Sequence, residues 1–399
     1  MQSTFRLIKP APLTERVKSR DSSIYLFRGM WVIGWLAPKE GIWRYVYLIW
    51  SFTTFSFGVF YLPAAFLISY VREFSNFSPS EFFTSLQVAI NAYGSSVKCI
   101  ITYSFMWRLR KTQNLLDRLD ERLLKDDDRQ KIHNAVARCN YAFLIFTFIY
   151  CGFAGSTFFS MVLNGSPPWS IYNPFVDWRD STANLWIQSI FEYIVMSFAV
   201  LQCQLSDTYP LVFTLIIRAH FEVLKDHVRN LRMDPDKTEQ ENYDELTNCI
   251  MDYKIILRCC NMIRPMIYRT IFVQFLLIGS VLGLTLFNIF FYANFWQAVG
   301  SAFFVITILL QTFPFCYICN MLSDDSEDLA NMIFHSNWVD SEPRYKTTLI
   351  NFMQHVQQPI VFIAGGIFVV SMNSNISVAK FAFSIITIAK QMNLAEQFQ

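Results

Sequence analysis

The chain has 399 residues, of which 53% are apolar, only 16% are charged and 40 are phenylalanine. Soluble domains have less apolar and more charged sequence, so these values exclude an ordinary water-soluble globular protein. The formal net charge of +2 and the absence of a basic arm give no indication of nucleic-acid binding. Several uncharged runs exceed the roughly 18–20 residues that cross a bilayer, so we expect an all-α polytopic membrane protein with seven transmembrane helices.

Seven spans are predicted, in chain order Tyr45–Tyr70, Phe82–Trp107, Tyr141–Leu163, Leu185–Ile217, Ile271–Phe291, Trp296–Leu322 and Asn373–Met392. Spans 5 and 6 form a hairpin that turns near Asn294, because no charged residue separates them. The apolar segment Ile360–Met372 is too short to span and contains Gly365 and Gly366, so we expect a buried connector there.

The whole chain, residues 1–399, is therefore predicted to be one seven-span domain. Its parts are an N-terminal cytosolic segment (1–44), spans 1–6 (45–322), a cytosolic helix (343–359) and the seventh span (373–393).

Loop charge predicts the orientation. Segments 1–44, 108–138 and 218–269 contain eight, nine and nine lysines and arginines, whereas the alternate loops 71–81, 164–184 and 292–297 contain one, one and none. Positively charged loops stay in the cytosol. We therefore expect a cytosolic N-terminus and, with seven spans, an extracellular C-terminus.

Glycosylation sequons agree with this orientation. Asn76 and Asn164 each begin an Asn-x-Ser sequence in a loop predicted to lie outside, and both are expected to be glycosylated. A third sequon, at Asn375, lies at the inner end of span 7 and is expected to stay unmodified. The nine cysteines avoid the predicted outer loops, so no extracellular disulfide framework is expected.

Four amphipathic stripes are predicted on the cytosolic side, where apolar residues recur with helical spacing. They contain Leu116, Leu119 and Leu123; Phe221, Leu224, Val228 and Leu231; Leu246, Ile250, Tyr253 and Leu257; and Tyr345, Leu349, Phe352 and Val356. Such helices must bury their apolar faces against each other or against a partner. We expect a helical bundle that also makes subunit contacts; a purely intrasubunit bundle is the alternative.

No constellation typical of an enzyme is present. The five histidines are scattered, and the Cys316 and Cys319 pair lies in an apolar span without a second pair, which indicates packing rather than a metal site. Charges inside the spans are better functional candidates. Lys98 is expected to snorkel or to pair inside the bundle, Glu192 to face a wet cavity, and Asp207 to lie near the cytosolic surface. For all three, structural pairing or solvation is an open alternative to ligand contact.

A ligand pocket is predicted where small residues and aromatic residues mix in spans 2, 3 and 4. The candidate lining residues are Tyr93, Gly94, Gly152, Gly155, Phe159, Tyr193 and Met196. Few polar groups lie among them, which suits a small apolar guest. Close helix packing is the alternative explanation of the glycines.

The last span has a polar stripe. Ser377, Lys380, Ser384, Thr387 and Gln391 recur at steps of three or four residues, which places them on one helical face. A polar face at the end of a membrane chain favours a surface that lines water. An ordinary packed helix with a few small polar residues is the alternative.

The last third of the chain resembles the insect odorant receptors. The residues that match are Leu310–Tyr317 in span 6, Ser336-Asn337-Trp338, Gly365–Phe368, Ser371 and Lys380–Ser384. Span order and topology extend the resemblance over the whole length. Cys319 stands where the family often has glycine. Ser384–Met392 also resembles the terminal signature of the related gustatory receptors, with Ile385 and Met392 in place of aromatic residues.

The resemblance implies an odorant-gated, non-selective cation channel, built as a tetramer around one pore from a tuning subunit and a shared co-receptor. The segment between spans 4 and 5 is short, as in a tuning subunit. It also implies a pocket enclosed by spans 2–6, no cofactor or metal, and the plasma membrane of olfactory dendrites.

By the same resemblance, the pore and gate residues are Ser384, Thr387, Ile388 and Gln391, with Ile388 as an apolar constriction that excludes water until the helices separate. Lys390 is expected to point away from the pore axis.

Alternative functions remain at this point. One is a seven-span receptor that signals through G proteins, and another is a gustatory-type chemoreceptor. A carrier is a third, although no inverted repeat or pair of broken helices supports it.

Overall fold

The computed structural model describes residues 7–38, 40–73, 79–292 and 295–391. Its helices are α1 (Ile24–Val32), α2 (Trp43–Phe55), α3 (Leu62–Glu73), α4 (Pro79–Ser104), α5 (Met106–Asp120), α6 (Asp126–Leu163), α7 (Thr182–Arg229), α8 (Glu239–Phe291), α9 (Phe295–Phe334), α10 (Pro343–Val356) and α11 (Met372–Gln391). A 3-10 turn (Ser19–Ser23) precedes α1, and a π-helical turn (Ser56–Tyr61) joins α2 to α3. Two short strands, β1 (Ile363–Ala364) and β2 (Phe368–Val369), lie between α10 and α11.

The mostly helical membrane architecture is confirmed. Within the described residues, five helical stretches are long and apolar enough to cross a membrane: Trp43–Arg72, Asp126–Leu163, Thr182–Arg229, Glu239–Phe291 and Ser301–Phe334. Helices α4 and α11, at the positions of predicted spans 2 and 7, have 26 and 20 residues and fall outside that set. That they also cross the membrane stays a prediction, and the turn predicted near Asn294 lies outside the described residues.

Several of the helices predicted to lie in the cytosol are continuous with the predicted spans. Helix α7 runs for 48 residues and α8 for 53, so the stripes predicted after span 4 and before span 5 belong to the same helices as those spans, except that Leu231 lies just beyond the end of α7. Phe105 separates α4 from α5, and α10 stands alone. A capping box at Thr238, whose hydroxyl accepts a hydrogen bond from the Glu241 N–H, fixes the start of α8.

The apolar faces of these extensions bury each other within one chain. Leu116, Phe221, Leu246, Tyr345 and Leu349 are each at most 1% exposed and belong to one continuous core. This burial is what the alternative of a purely intrasubunit bundle predicts, so these apolar faces are shielded from water without a partner subunit. Subunit contacts at this bundle stay a proposal.

The N-terminal segment is tied to the same end of the molecule. The Ser19 N–H donates to Asp120 Oδ2 at 2.7 Å, and the Ser19 hydroxyl lies 2.7 Å from His220 Nε2. Burial raises the pKa of Asp120 to about 6, although the hydrogen bonds from Ser19 oppose this shift. The 3-10 turn is therefore held against α5 and α7. We call this part of the molecule, with α1, α5 and α10, the basic end.

The connector before α11 does not span, as predicted, and it contains a small antiparallel hairpin that the sequence pattern did not indicate. Gly365 and Gly366 have φ values of +60° and +73°, which other residues rarely adopt. The Gly365 N–H donates to the Tyr268 carbonyl at 2.9 Å, and a Cβ at this position would overlap the Phe272 ring. The connector is only half-buried, because Ile367 at its tip is 70% exposed.

Candidate functional site

A second apolar core lies at the opposite end, beside the loop 164–181, and we call it the loop-end cluster. Its buried members are Leu62, Ala65 and Phe66 of α3, Val88, Ala89 and Ala92 of α4, Trp169 and Ile171 of the loop, Val195, Met196 and Ala199 of α7, Ile278 and Val281 of α8, and Phe304 and Ile308 of α9. Five helices and one loop therefore converge on a shared apolar interior. This arrangement can enclose a small apolar molecule if its side chains move apart.

Glu192 holds the loop over this cluster. Its carboxylate accepts hydrogen bonds from the Trp169 and Ile171 N–H groups, both at 2.8 Å, and from Gln188 Nε2 at 2.7 Å. The expectation that Glu192 faces a wet cavity is wrong, since its side chain is fully buried and bound to the loop backbone. A buried carboxylate needs several donors, and the loop supplies two of them.

Helix α3 and the π-helical turn before it hold the loop from the other side. The Ser69 hydroxyl donates to the Ser170 carbonyl at 2.7 Å, and the Tyr61 hydroxyl donates to the Tyr172 carbonyl at 2.8 Å. Arg72 donates to the Tyr172 hydroxyl at 2.9 Å. The loop is thus an ordered cover over the loop-end cluster.

Three of the predicted pocket residues meet at this cluster. Met196 is one of its buried members, and Tyr93 and Tyr193 pack against it. The Tyr93 hydroxyl donates to the Pro63 carbonyl at 2.8 Å, and the Tyr193 ring lies 5.0 Å from that of Phe158. Their role in binding stays a prediction.

The other predicted pocket residues lie elsewhere. A Cβ on Gly94 would lie 2.2 Å from Leu277, so this glycine permits close packing of α4 on α8. A Cβ on Gly152 or Gly155 would meet no atom within 4 Å among the described residues, and Phe159 is 62% exposed. In this single chain, these α6 positions border open surface rather than the cluster.

A buried ion pair lies between the two ends. Lys98 Nζ is 2.6 Å from Asp207 Oδ1 and also donates to Gln274 Oε1. Both charged side chains are at most 3% exposed. Lys98 therefore pairs inside the bundle, one of its two expected arrangements. Asp207 was expected near the cytosolic surface, but its side chain is buried and follows the alternative of structural pairing, and α7 continues for more than twenty residues beyond it.

Further polar groups extend this pair across the bundle. The Tyr150 hydroxyl donates to Asp207 Oδ2 at 2.7 Å, and Gln274 Nε2 donates to Gln311 Oε1. The residue after Gln311, Thr312, donates to Asn375 Oδ1 of α11 at 3.4 Å. The glutamines escaped the sequence analysis, although a polar amide inside an apolar run is itself a signal of this kind of network.

Helix α11 turns its polar stripe outward. Ser377, Ser384 and Thr387 are exposed, and their hydroxyls donate to their own helix's carbonyls four residues earlier. Lys380 and Gln391 are exposed as well, whereas Asn375 and Ala382 are buried on the opposite side. The side chains of Ile388 and Lys390 lie outside the described part. The predicted pore residues thus share a helix whose polar face is uncovered in one chain, and pore lining stays a prediction.

The predicted glycosylation positions differ in what the structure gives. Asn76 lies outside the described residues. Asn164 is exposed at the end of α6, while Asn375 is 4% exposed. An oligosaccharide needs an accessible asparagine, so the geometry at these two described sequons is compatible with the predicted difference.

The basic end has a cavity of about 260 Å³. Its charged lining residues largely pair with each other: Arg122 with Asp252, His227 with Asp128 and Lys237 with Glu245. Such paired charges leave little net field for a charged ligand. The apolar loop-end cluster is the better candidate for a neutral guest.

Comparison with known proteins identifies relatives over the whole chain. A sequence profile described as "7tm Odorant receptor" matches residues 78–383. The chain is 72% identical to Odorant receptor 59b of Drosophila melanogaster over 100% of both chains, and 62% identical to Odorant receptor 42b of the same species over 99% of each. Its fold is similar to the insect olfactory receptor OR5 from Machilis hrabei, with a TM-score of 0.71, 15% sequence identity and coverage of 94% of this chain and 97% of that one. The same receptor in complex with eugenol matches with a TM-score of 0.69.

Proposed function

Since this chain belongs to the 7tm odorant receptor family, we propose that it is a tuning subunit that binds small neutral volatiles and opens a non-selective cation channel together with a shared co-receptor. The family is one of multi-pass membrane receptors rather than enzymes. The channel would lie in the plasma membrane of olfactory neuron dendrites, with the N-terminus in the cytosol and the C-terminus outside.

The loop-end cluster is the observation that carries this proposal. It is apolar, is covered by the Glu192-held loop and includes three residues that sequence patterning assigns to a pocket. Binding there would rest on dispersion and apolar burial. Bound odorant must favour the open state over the closed state, because equal affinity for both would gate nothing.

The exposed stripe of α11 supports a multi-subunit pore. Lys380 is exposed beside Ser377 and Ser384 in the single chain. Hydrocarbon solvates a charged group poorly, so this face needs water or other subunits. Four such helices around one axis would give a polar lining, with Thr387 and Gln391 on either side of the Ile388 constriction.

The decisive experiment expresses the chain with and without an insect co-receptor and records currents to a panel of small esters, ketones and alcohols. We expect odour-evoked cation current only from the pair. A robust current from the chain alone would remove the need for a co-receptor, and silence of the co-expressed pair toward the whole panel would contradict the proposed function.

Signalling through G proteins is the second candidate. It would need the N-terminus outside, which the loop charges oppose. The match to the odorant receptor profile disfavours a gustatory-type receptor. An odour response that persists in excised membrane patches without nucleotide would separate direct gating from G-protein signalling.

A further inference from the structure

Trp169 lies in the loop at the loop-end cluster, and its indole N–H makes no hydrogen bond to any described residue. Its side chain is 3% exposed, and its indole Nε1 is buried with no hydrogen-bond partner among the described residues. Trp169 shares the cluster with apolar side chains, and the buried Glu192 carboxylate beside it is bound by the loop backbone and Gln188. A buried N–H without an acceptor is destabilising, and native structures contain few such groups.

The neighbouring polar groups of the loop have hydrogen-bond partners, so the indole N–H of Trp169 differs from them. The Trp169 backbone N–H donates to Glu192, and the neighbouring Ser170 carbonyl accepts from Ser69. Two hydroxyls beside the cluster are also engaged, because Tyr61 and Tyr93 donate to backbone carbonyls. Trp169 is therefore held firmly by its backbone while its indole donor remains available.

We propose that Trp169 Nε1–H donates a hydrogen bond to an oxygen of the bound odorant and thereby selects its chemical class. This inference rests on the proposed function and deepens it. An indole nitrogen donates and does not accept, so the matching ligand is a neutral volatile with a carbonyl, ether or hydroxyl oxygen on a short apolar chain. A pure hydrocarbon fills the same space but leaves the indole N–H unpaired.

Trp35 provides a matched control. It is 5% exposed, and its Nε1 is also buried without a partner among the described residues. It belongs to the core of the basic end, and its ring packs edge-on at 6.3 Å from Tyr103. Replacing either tryptophan by phenylalanine removes one buried indole N–H, but only Trp169 lies at the loop-end cluster.

The test compares Trp169→Phe, Trp35→Phe and the unaltered chain, each co-expressed with an insect co-receptor, in dose–response recordings. The ligands are a linear ester and the alkane of matching length. A neutral hydrogen bond contributes about 1 kcal/mol, so we expect Trp169→Phe to raise the half-maximal ester concentration about five- to tenfold. The preference for ester over alkane should shrink by the same factor, and Trp35→Phe should change neither.

Benzothienylalanine at position 169 keeps the bicyclic shape and places sulfur where indole has N–H, so it serves if the phenylalanine variant fails to reach the surface. Ester potency within twofold of the unaltered chain in either variant would overturn the inference, as would an equal loss in Trp35→Phe. These outcomes leave the proposed function intact. Absence of any odour-evoked current from the unaltered pair would instead defeat the proposed function, and this inference with it.

Discussion

Lys98 and Asp207 show how one buried pair can depend on both of its members. Each charge is compensated by the other and by neutral donors or acceptors such as Tyr150 and Gln274. Removing one charge leaves the other unpaired in a medium that solvates it poorly, which in buried pairs typically costs about 3–5 kcal/mol. Each charged side chain therefore requires the other, although apolar side chains of similar volume could replace both.

We therefore predict that Lys98→Met lowers the free energy of unfolding by about 3–5 kcal/mol. The double variant Lys98→Met with Asp207→Leu should recover at least half of that loss, because no uncompensated charge remains. The loss and its recovery are both measured as shifts in the melting temperature of the detergent-solubilised chain, followed by fluorescence size-exclusion chromatography. Lys111→Met, at an exposed position of α5, is the control and should melt like the unaltered chain. A melting temperature of Lys98→Met equal to that of the unaltered chain would contradict this prediction.

Residue identity predicted that the intramembrane charges matter but not what they touch. Lys98 and Asp207 are 109 positions apart, and helical spacing carries no information on such a contact. Glu192 has its backbone partners in an irregular loop, where no periodicity exists to read. The unpaired indole of Trp169 can be recognised only when its surroundings are known.

Helix α11 is the element on which the proposed gating depends. Its exposed polar face and its buried Asn375 and Ala382 divide the helix into two sides. Val378 lies 3.8 Å from the Cβ position of Gly279, so the buried side packs on α8. A helix attached along one side can present the other to a shared pore.

We predict that Ile388→Ser raises the odour-independent current of the assembled channel, because a hydroxyl ring lets water into an apolar constriction. Ile376→Ser, at the exposed start of the same helix, is the matched control and should leave the basal current unchanged. Whole-cell recording with quantified surface level distinguishes the two. If Ile388→Ser keeps normal basal current, ion selectivity and gating kinetics at a normal surface level, the gate lies elsewhere.

Helices were predictable where a long apolar run or a stripe of period 3.6 gave a local signal. The continuity of these helices was not predictable. Helix α8 runs unbroken from a polar start at Glu239 to an apolar end at Phe291, although its composition changes along the way. The hairpin at Gly365 was missed because each strand has only two residues, too few for any alternation to show.

At the scale of the whole molecule, charge asymmetry and sequon position make one joint prediction of orientation. We expect the chain expressed in insect cells to lose mass on treatment with an N-glycosidase, and Asn164→Gln to reduce that shift because Asn164 is exposed. Asn375→Gln is the control and should not alter the shift, since Asn375 is buried. If an N-terminal tag were labelled on intact cells, the N-terminus would lie outside, and the predicted orientation would be wrong.

The long helices of this molecule also have a mechanical consequence. At 1.5 Å per residue, α8 is about 80 Å long, far longer than the roughly 30 Å of bilayer hydrocarbon. Pro265 interrupts the backbone hydrogen bonding of α8 about 40 Å from its start. Three residues later, the Tyr268 carbonyl accepts the hydrogen bond from the Gly365 N–H of the connector. A bend of about 5° at this proline displaces the start of α8 by roughly 3 Å, about the length of a hydrogen bond. The bend therefore lies about 20 Å from Ile278 in the loop-end cluster and about 40 Å from Glu239, so it moves the start of α8 about twice as far as it moves the helix at the cluster.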